Sequence, residues 1–167
     1  MNWALSPSNE SNQTVDRIVV EDRFDGANWD YLDFTGVTTS PAPETTDTTI
    51  VEYLVEGTWT TTEPADLTTV EGVRVTYEGS YAPGTEAHVR VETRTNDSVS
   101  EIEPGSTVAV VNEAAATVEV GEDVSDPATD EATVNLQAAD PTVTIEKTFD
   151  DTTLVVGQEV TATVTAT

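Results

Sequence analysis

The sequence predicts an all-β fold in which short antiparallel strands pack as a sandwich. Val, Ala and Thr dominate the composition, and β-branched residues suit a pleated surface. Strand candidates recur at short intervals between Gly, Pro, Asp and Asn, and helical periodicity is almost missing. This rhythm is typical of a sandwich rather than of alternating strands and helices.

Alternation of apolar and polar residues locates the individual strands. In "GVRVTYEG", Val73, Val75 and Tyr77 fall on one face of the strand. We therefore expect one face of the sheet to pack against the core and the other to face solvent. The clearest tight hairpin is predicted at Glu56 and Gly57, because glycine tolerates a positive φ. The predicted strands cover residues 15–21, 49–55, 58–62, 70–78, 86–94, 107–112, 116–120, 132–137, 142–148 and 159–167.

Composition excludes several function classes. The formal net charge is −26, and a surface this negative repels the phosphates of nucleic acids and anionic lipids. The absence of cysteine removes disulfides, thiolate nucleophiles and cysteine-ligated metals. No stretch approaches the apolar length that a membrane helix needs. We therefore expect no nucleic-acid partner and no membrane insertion by these residues.

The chain is predicted to divide at the Asp140–Pro141 step. A residue before proline is pushed towards extended geometry, and a new alternating pattern starts directly afterwards. The final stretch, "VVGQEVTATVTAT", ends in strict alternation, with valine and alanine on one face and threonine on the other. Residues 1–140 are therefore expected to form one unit, and residues 141–167 to open another.

Two stretches carry a resemblance to a known family. "TVAVVNEAAATVEV" contains an Asn-x-Ala pattern at Asn112 to Ala114, and "TVTIEKT" ends a strand in Lys147 and Thr148 before a glycine turn and "VTATVT". These motifs resemble the junction between copies of the domain of unknown function eleven, a family of β-sandwich repeats in bacterial and archaeal cell-surface proteins. The resemblance, shared in style with Cna B-type stalk domains, implies an immunoglobulin-like or prealbumin-like antiparallel β-sandwich.

The resemblance also implies a position in an array. Residues 1–140 are expected to be a repeat that lacks its first strands, and residues 141–167 to be the opening two strands of the next repeat. Those two strands are expected to dock where the first unit lacks its own, in the same chain or by strand exchange with a second copy. The alternative is that they remain an orphan hairpin, which is marginally stable in water. The implied function is a structural stalk or spacer of an extracellular, cell-wall or cell-surface protein, adhesin-like and without catalysis, whose partners are neighbouring repeats.

Lys147, the sole lysine, is a candidate for a covalent link. Sandwiches similar to this one can join a first-strand lysine to a last-strand asparagine through an isopeptide bond, with a buried carboxylate managing the protons. Asn112 is the implied amide partner. The chemistry needs a neutral, desolvated amine beside an activated amide. A solvent-exposed lysine at a strand end is the plainer alternative.

A candidate calcium site lies in "EDRFDGANWDYLD". This stretch holds Asp22, Asp25, Asp30 and Asp33, with Gly26 allowing a sharp turn, and oxygen ligands on a loop suit calcium. The spacing does not match the calcium loop of helix-loop-helix proteins, and acidic residues are abundant throughout. A solvated acidic loop is therefore the alternative, and no cofactor besides calcium is expected.

The remaining distinctive side chains suggest ordinary structural roles. His88 is the sole histidine and falls on the polar face of its strand, so we expect it at the surface. We expect the three tryptophans to fill the core or to cover an edge of the sandwich; they are Trp3, Trp29 and Trp59. No nucleophile and base pair is evident, which makes an enzyme the least supported class.

A ligand-binding module is the alternative to a spacer. The polar, Pro- and Thr-rich loop at residues 38–49 or the acidic loop at residues 21–33 would then contact a host protein, a glycan or calcium. Saturable ligand binding would distinguish such a module from a spacer.

Overall fold

The computed structural model describes residues 1–139, 145–149 and 162–166. In this part of the chain the fold is all-β, with antiparallel sheets in a sandwich-like arrangement, which confirms the fold class predicted from the sequence. The described residues contain no α-helix, and only short 3₁₀ helices interrupt the strands.

Twelve strands follow one another along the described chain. They are β1 (Asn2–Leu5), β2 (Val15–Arg23), β3 (Leu32–Thr38), β4 (Thr46–Val55), β5 (Thr58–Thr60), β6 (Val70–Tyr81), β7 (Val89–Thr95), β8 (Thr107–Val120), β9 (Asp123–Val124), β10 (Ala128–Gln137), β11 (Ile145–Phe149) and β12 (Ala162–Ala166). The 3₁₀ helices are Trp29–Tyr31, Leu67–Thr69 and Asp97–Glu101. Between β4 and β5 the chain turns at Glu56 and Gly57, whose φ angles are 50° and 72°, as the hairpin prediction requires.

Two sheets of unequal size form the sandwich. The larger has seven strands in the order β10-β8-β2-β6-β4-β5, with β9 added to β8. The smaller has three strands in the order β1-β7-β3. β11 and β12 pair with each other in a separate two-stranded sheet. Because three strands face seven, the smaller sheet leaves part of the larger sheet's inner face uncovered.

The core lies where the two sheets face each other. Val73, Val75 and Tyr77, which the sequence places on one face of β6, are each at most 1% exposed. Val91 of β7 is fully buried on the smaller sheet. The hydroxyl of Tyr77 donates to the backbone carbonyl of His88 at 2.7 Å, so the polar end of this buried ring is satisfied.

The structure departs from the predicted strand pattern in β8. Thr107–Val120 is one continuous strand, whereas the sequence predicts two strands with a break at residues 113–115. The alanines of this segment have a low strand propensity. They are nevertheless held in extended form, because β8 pairs with β2 along one edge and with β10 along the other.

The sequence does not predict β1 and β3. β1 has only four residues, and β3 contains a register shift between Phe34 and Gly36, so neither shows a long, clean alternation. The predicted loop at residues 38–49 is shorter than expected, since β4 begins at Thr46. The Asp140–Pro141 step lies outside the described residues, and the domain division there stays a prediction.

Candidate functional site: an open groove in the sandwich

The inner face of the larger sheet is closed at one side and open at the other. The pairing register of β2, β8 and β10 aligns three rows across it, which are Val20–Ala116–Ala128, Asp22–Ala114–Asp130 and Asn112–Ala132. Val20 and Asp22 on β2 are buried. Ala128, Asp130 and Ala132 on β10 are exposed, although they share the inward-facing parity with the buried Leu136. The sandwich is therefore closed over β2 and open over β10.

β1 forms the opposite wall of this open region. Among the described strands it pairs with β7 alone, which leaves its second edge without a strand partner in that part of the chain. The space between β1 and the inner face of β8 and β10 is a cavity of about 240 Å³. A second hollow of about 410 Å³ shares Ser6, Pro7, Ala116 and Ala128 with it. We call the two together the groove; its floor consists largely of alanine.

Asp22 and Asn112 form a buried polar pair at the groove. Asn112 Nδ2 donates to Asp22 Oδ2 at 3.1 Å. Asp22 is fully buried, and Asn112 is 4% exposed and lines the groove. Burial raises the pKa of Asp22 to about 7; the hydrogen bond from Asn112 opposes this rise, and the negative charge of Asp25 adds to it.

Two acceptor atoms of this pair lack a donor. Asp22 Oδ1 and Asn112 Oδ1 have no hydrogen-bond partner among the described residues. An unpartnered buried polar atom costs about 1–3 kcal/mol, so native structures leave few of them. Asn112 lines the groove, so a hydrogen-bond donor that entered this end would approach the pair from its Asn112 side. The pair is the most chemically distinctive feature of the described sandwich.

The predicted isopeptide partners are described only in part. Asn112 has a buried carboxylate neighbour, Asp22, of the kind that such a bond requires. Lys147 lies opposite Val164 in the register of β11 and β12, and its side chain falls outside what the structure describes. The bond between Lys147 and Asn112 stays a prediction. An intact mass lower by one ammonia would support it, and the full mass would eliminate it.

The four aspartates of the predicted calcium loop have different surroundings. Asp22 is buried in the pair described above, whereas Asp25 and Asp30 are exposed. Asp33 forms an ion pair with Arg94, with Nη2 and Oδ2 3.3 Å apart. Within the described ranges, no three His, Cys, Asp or Glu side chains group as a metal site. The structure thus does not gather the four, and calcium binding there stays a prediction.

The tryptophans and the histidine occupy the places that the sequence suggests. Trp3 and Trp29 are buried, with ring centroids 5.6 Å apart. Trp59 is half-buried in β5, an edge strand of the larger sheet, and the guanidinium of Arg74 lies 4.1 Å from its ring centroid. His88 is exposed. These side chains supply packing and edge cover.

Comparison with known proteins gives no relative from which a role could be transferred: no family model, no curated protein and no solved structure matches the chain significantly. Among the described residues, no helix has the length and apolar composition needed to cross a bilayer. Fold and site together define the class as an all-β antiparallel sandwich with an open groove. A sandwich hosts many functions, so the role has to be argued from the groove and its surroundings.

Proposed function

We propose that the chain is a structural repeat of an extracellular, cell-surface protein, in which it acts as a stalk or spacer and not as an enzyme. The motifs at residues 107–167 motivate this role, because they resemble the junction between consecutive copies of the domain of unknown function eleven. Neighbouring repeats are then its partners.

The observation that carries the proposal is a sandwich accompanied by an additional strand pair. β11 and β12 form a two-stranded sheet of their own, separate from both sheets of the sandwich. An isolated strand pair is marginally stable in water, so it needs a further layer or further strands. A strand pair of this kind suits the start of another sandwich, and a row of such units provides length and stiffness rather than catalysis.

The surface charge is compatible with a spacer. The net charge of −26 is spread along the chain, and mutual repulsion between such surfaces favours solubility and discourages sideways aggregation. Cross-strand ion pairs occupy the outer face of the larger sheet, for example Arg17 with Glu78 at 3.1 Å and with Glu119 at 2.9 Å. Such pairs fit a solvated face better than a recognition surface.

A ligand-binding module is the second candidate, and the groove is the observation in its favour. It is concave and largely apolar on its floor, and its lining includes Asn112, whose Oδ1 has no donor among the described residues. Those are properties of small-ligand sites in general. The ligand of the groove would be a glycan or part of a host protein, and calcium would bind instead at the acidic loop of residues 21–33.

Calorimetric titration separates the two candidates. The full chain is titrated with calcium, and then with glycans and host matrix proteins in the presence and absence of calcium. A spacer gives no saturable heat with any of them. Saturable calcium binding that Asp25→Asn abolishes and that Asp123→Asn, a change in an exposed acid of β9 outside the groove, leaves intact would favour the module instead.

A further inference from the structure

We propose that the groove binds the β11–β12 hairpin of a second copy of this chain, with Lys147 placed against the buried Asp22–Asn112 pair. The inference deepens the role of neighbouring repeats as partners, but it concerns self-association alone. A ligand found by titration would therefore contradict the spacer role, but it would not bear on the self-association.

The groove offers both surfaces that an added strand needs. The second edge of β1 has no strand partner in the described part of the chain, so its backbone groups on that side can pair with a new strand. The floor below consists of Ala116, Ala128 and Ala132. Side chains this small leave the space for a layer that packs about 10 Å above the sheet. β1 has four residues and β11 has five, so their lengths match.

The β11–β12 hairpin has one apolar face with a single charge in its middle. Its register is Ile145↔Ala166, Lys147↔Val164 and Phe149↔Ala162. Positions that are directly opposite in an antiparallel pair share a face, so these six positions lie on one side of the hairpin. All of them are apolar except Lys147. Ile145 is 73% exposed, which is unusual for a large apolar side chain and indicates that this face lacks cover there.

The charge on the hairpin complements the buried pair. Asp22 Oδ1 and Asn112 Oδ1 are acceptors without a donor among the described residues. A lysine ammonium brings three donors and no acceptor, so one lysine can satisfy both atoms. The same ammonium would offset the charge of the buried Asp22 carboxylate. Lys147 is the one cation on the apolar face of the hairpin, and Asp22 is the carboxylate beside the apolar floor. Because only one alignment of the two surfaces brings these charges together, they define a single register of docking.

The exposure of Ile145 assigns the occupant to a second copy rather than to the same chain. Ile145 would be covered if its own groove held the hairpin, yet it is 73% exposed. Exchange of the hairpin between copies is a head-to-tail contact, which either extends into a row or closes into a ring.

Salt should strengthen this association. Each copy carries a net charge of −26, so two copies repel each other over a range set by the Debye length, about 10 Å at 0.1 M salt and about 3 Å at 1 M. The contact between Lys147 and Asp22 would be buried and much less screened. Raising the salt therefore weakens the repulsion more than the docking contact.

Sedimentation velocity of the full chain tests the inference, over protein concentrations from about 1 to about 200 µM and at about 1 M NaCl. We expect the average sedimentation coefficient to rise with concentration. Lys147→Met removes the charge but keeps an apolar side chain, and it should weaken association at least about tenfold. Ala132→Gln puts a longer polar group on the floor and should also weaken it. Thr133→Gln, the neighbouring exposed position of opposite parity, should associate like the wild type.

Each other outcome overturns the inference. A chain that stays monomeric over the whole range has no such docking. A monomer whose melting temperature falls in both Lys147→Met and Ala132→Gln binds the hairpin in its own groove and excludes the second copy. Association that neither of these variants weakens places the interface elsewhere. Far-ultraviolet circular dichroism of every variant ensures that loss of folding is not taken for loss of docking.

Discussion

The larger sheet has two halves, one around β6 and β4 and the other around β8 and β10. They share one inner face but carry different side chains on it. On β6, the inward positions hold Val73 and Tyr77, neither of them more than 1% exposed. On β10, the inward positions from the start of the strand hold Ala128, Asp130 and Ala132, all exposed, and only further along the buried Leu136. The first half is filled by bulky groups and closed by the smaller sheet, whereas the second has a floor of small groups and stays open. Side-chain size on an inward face thus marks where a further strand can be added, which alternation alone does not reveal.

The largest expected effect contrasts these halves directly. Tyr77→Ala removes a fully buried ring and should lower the free energy of unfolding by about 3–5 kcal/mol, because it leaves a cavity in a closed core. Ala128→Ser on the open floor should change it by less than about 0.5 kcal/mol. Urea denaturation of dilute protein gives both values. Similar losses in the two variants would show that the halves are packed alike.

The next effect concerns Asp22, at the boundary between the halves. Its pKa in the folded chain is about 7, against an ordinary value of 3.8, because burial disfavours the charged form. The folded state therefore keeps a proton that the unfolded state has released, and the stability from this group declines as the pH rises towards 7. Between about pH 5 and pH 8 the wild type should lose about 2 kcal/mol relative to Asp22→Asn, which does not titrate.

Urea denaturation of both proteins across this pH range, at dilute concentration, measures the difference. Asp25 and Asp130 are the other carboxyls on this side of the sheet. Because both are present in the wild type and in Asp22→Asn, the difference between the two proteins reports on Asp22. Asp123→Asn, at an exposed position in β9, is the control and should follow the wild-type curve closely. Parallel curves for the wild type and Asp22→Asn would contradict an elevated pKa at Asp22.

The smallest effect lies on the outer face of the closed half. Arg74 stacks on Trp59 and bridges Glu21 and Glu52, at 3.0 and 3.3 Å. These groups are partly exposed, so Arg74→Met should cost about 1 kcal/mol or less, and the cost should shrink at high salt. Thermal melts at low and high salt provide the measurement. A loss as large as that of Tyr77→Ala would mean that outer-face charges, and not the core, hold this half together.

The closed half was largely predictable from the sequence, because local alternation decides it. β6 and β7 show the period of a half-buried strand, and the hairpin at Gly57 follows from turn chemistry. The continuity of β8 was not predictable, since its alanines are held by pairing with β2 and β10, which are distant in sequence. Long-range pairing overrode local propensity there.

The candidate site was predictable only in fragments. Asp22 and Asn112 lie 90 positions apart, and the sequence assigned one to a calcium loop and the other to an isopeptide bond. One local signal was present: Asp22 continues the inward alternation of Ile18 and Val20, which places a carboxylate on the core side. The groove itself depends on strand order and on the size difference between the sheets, neither of which a local pattern contains.

Amide hydrogen exchange at two protein concentrations tests the docking of the hairpin most directly. The amides on the edge of β1 that has no strand partner among the described residues should exchange quickly in dilute protein and become protected in concentrated protein, together with those of β11. The amides of β6 should stay protected throughout. Exchange in β1 and β11 that is equally fast at both concentrations would contradict the account, because it would leave the groove without an occupant.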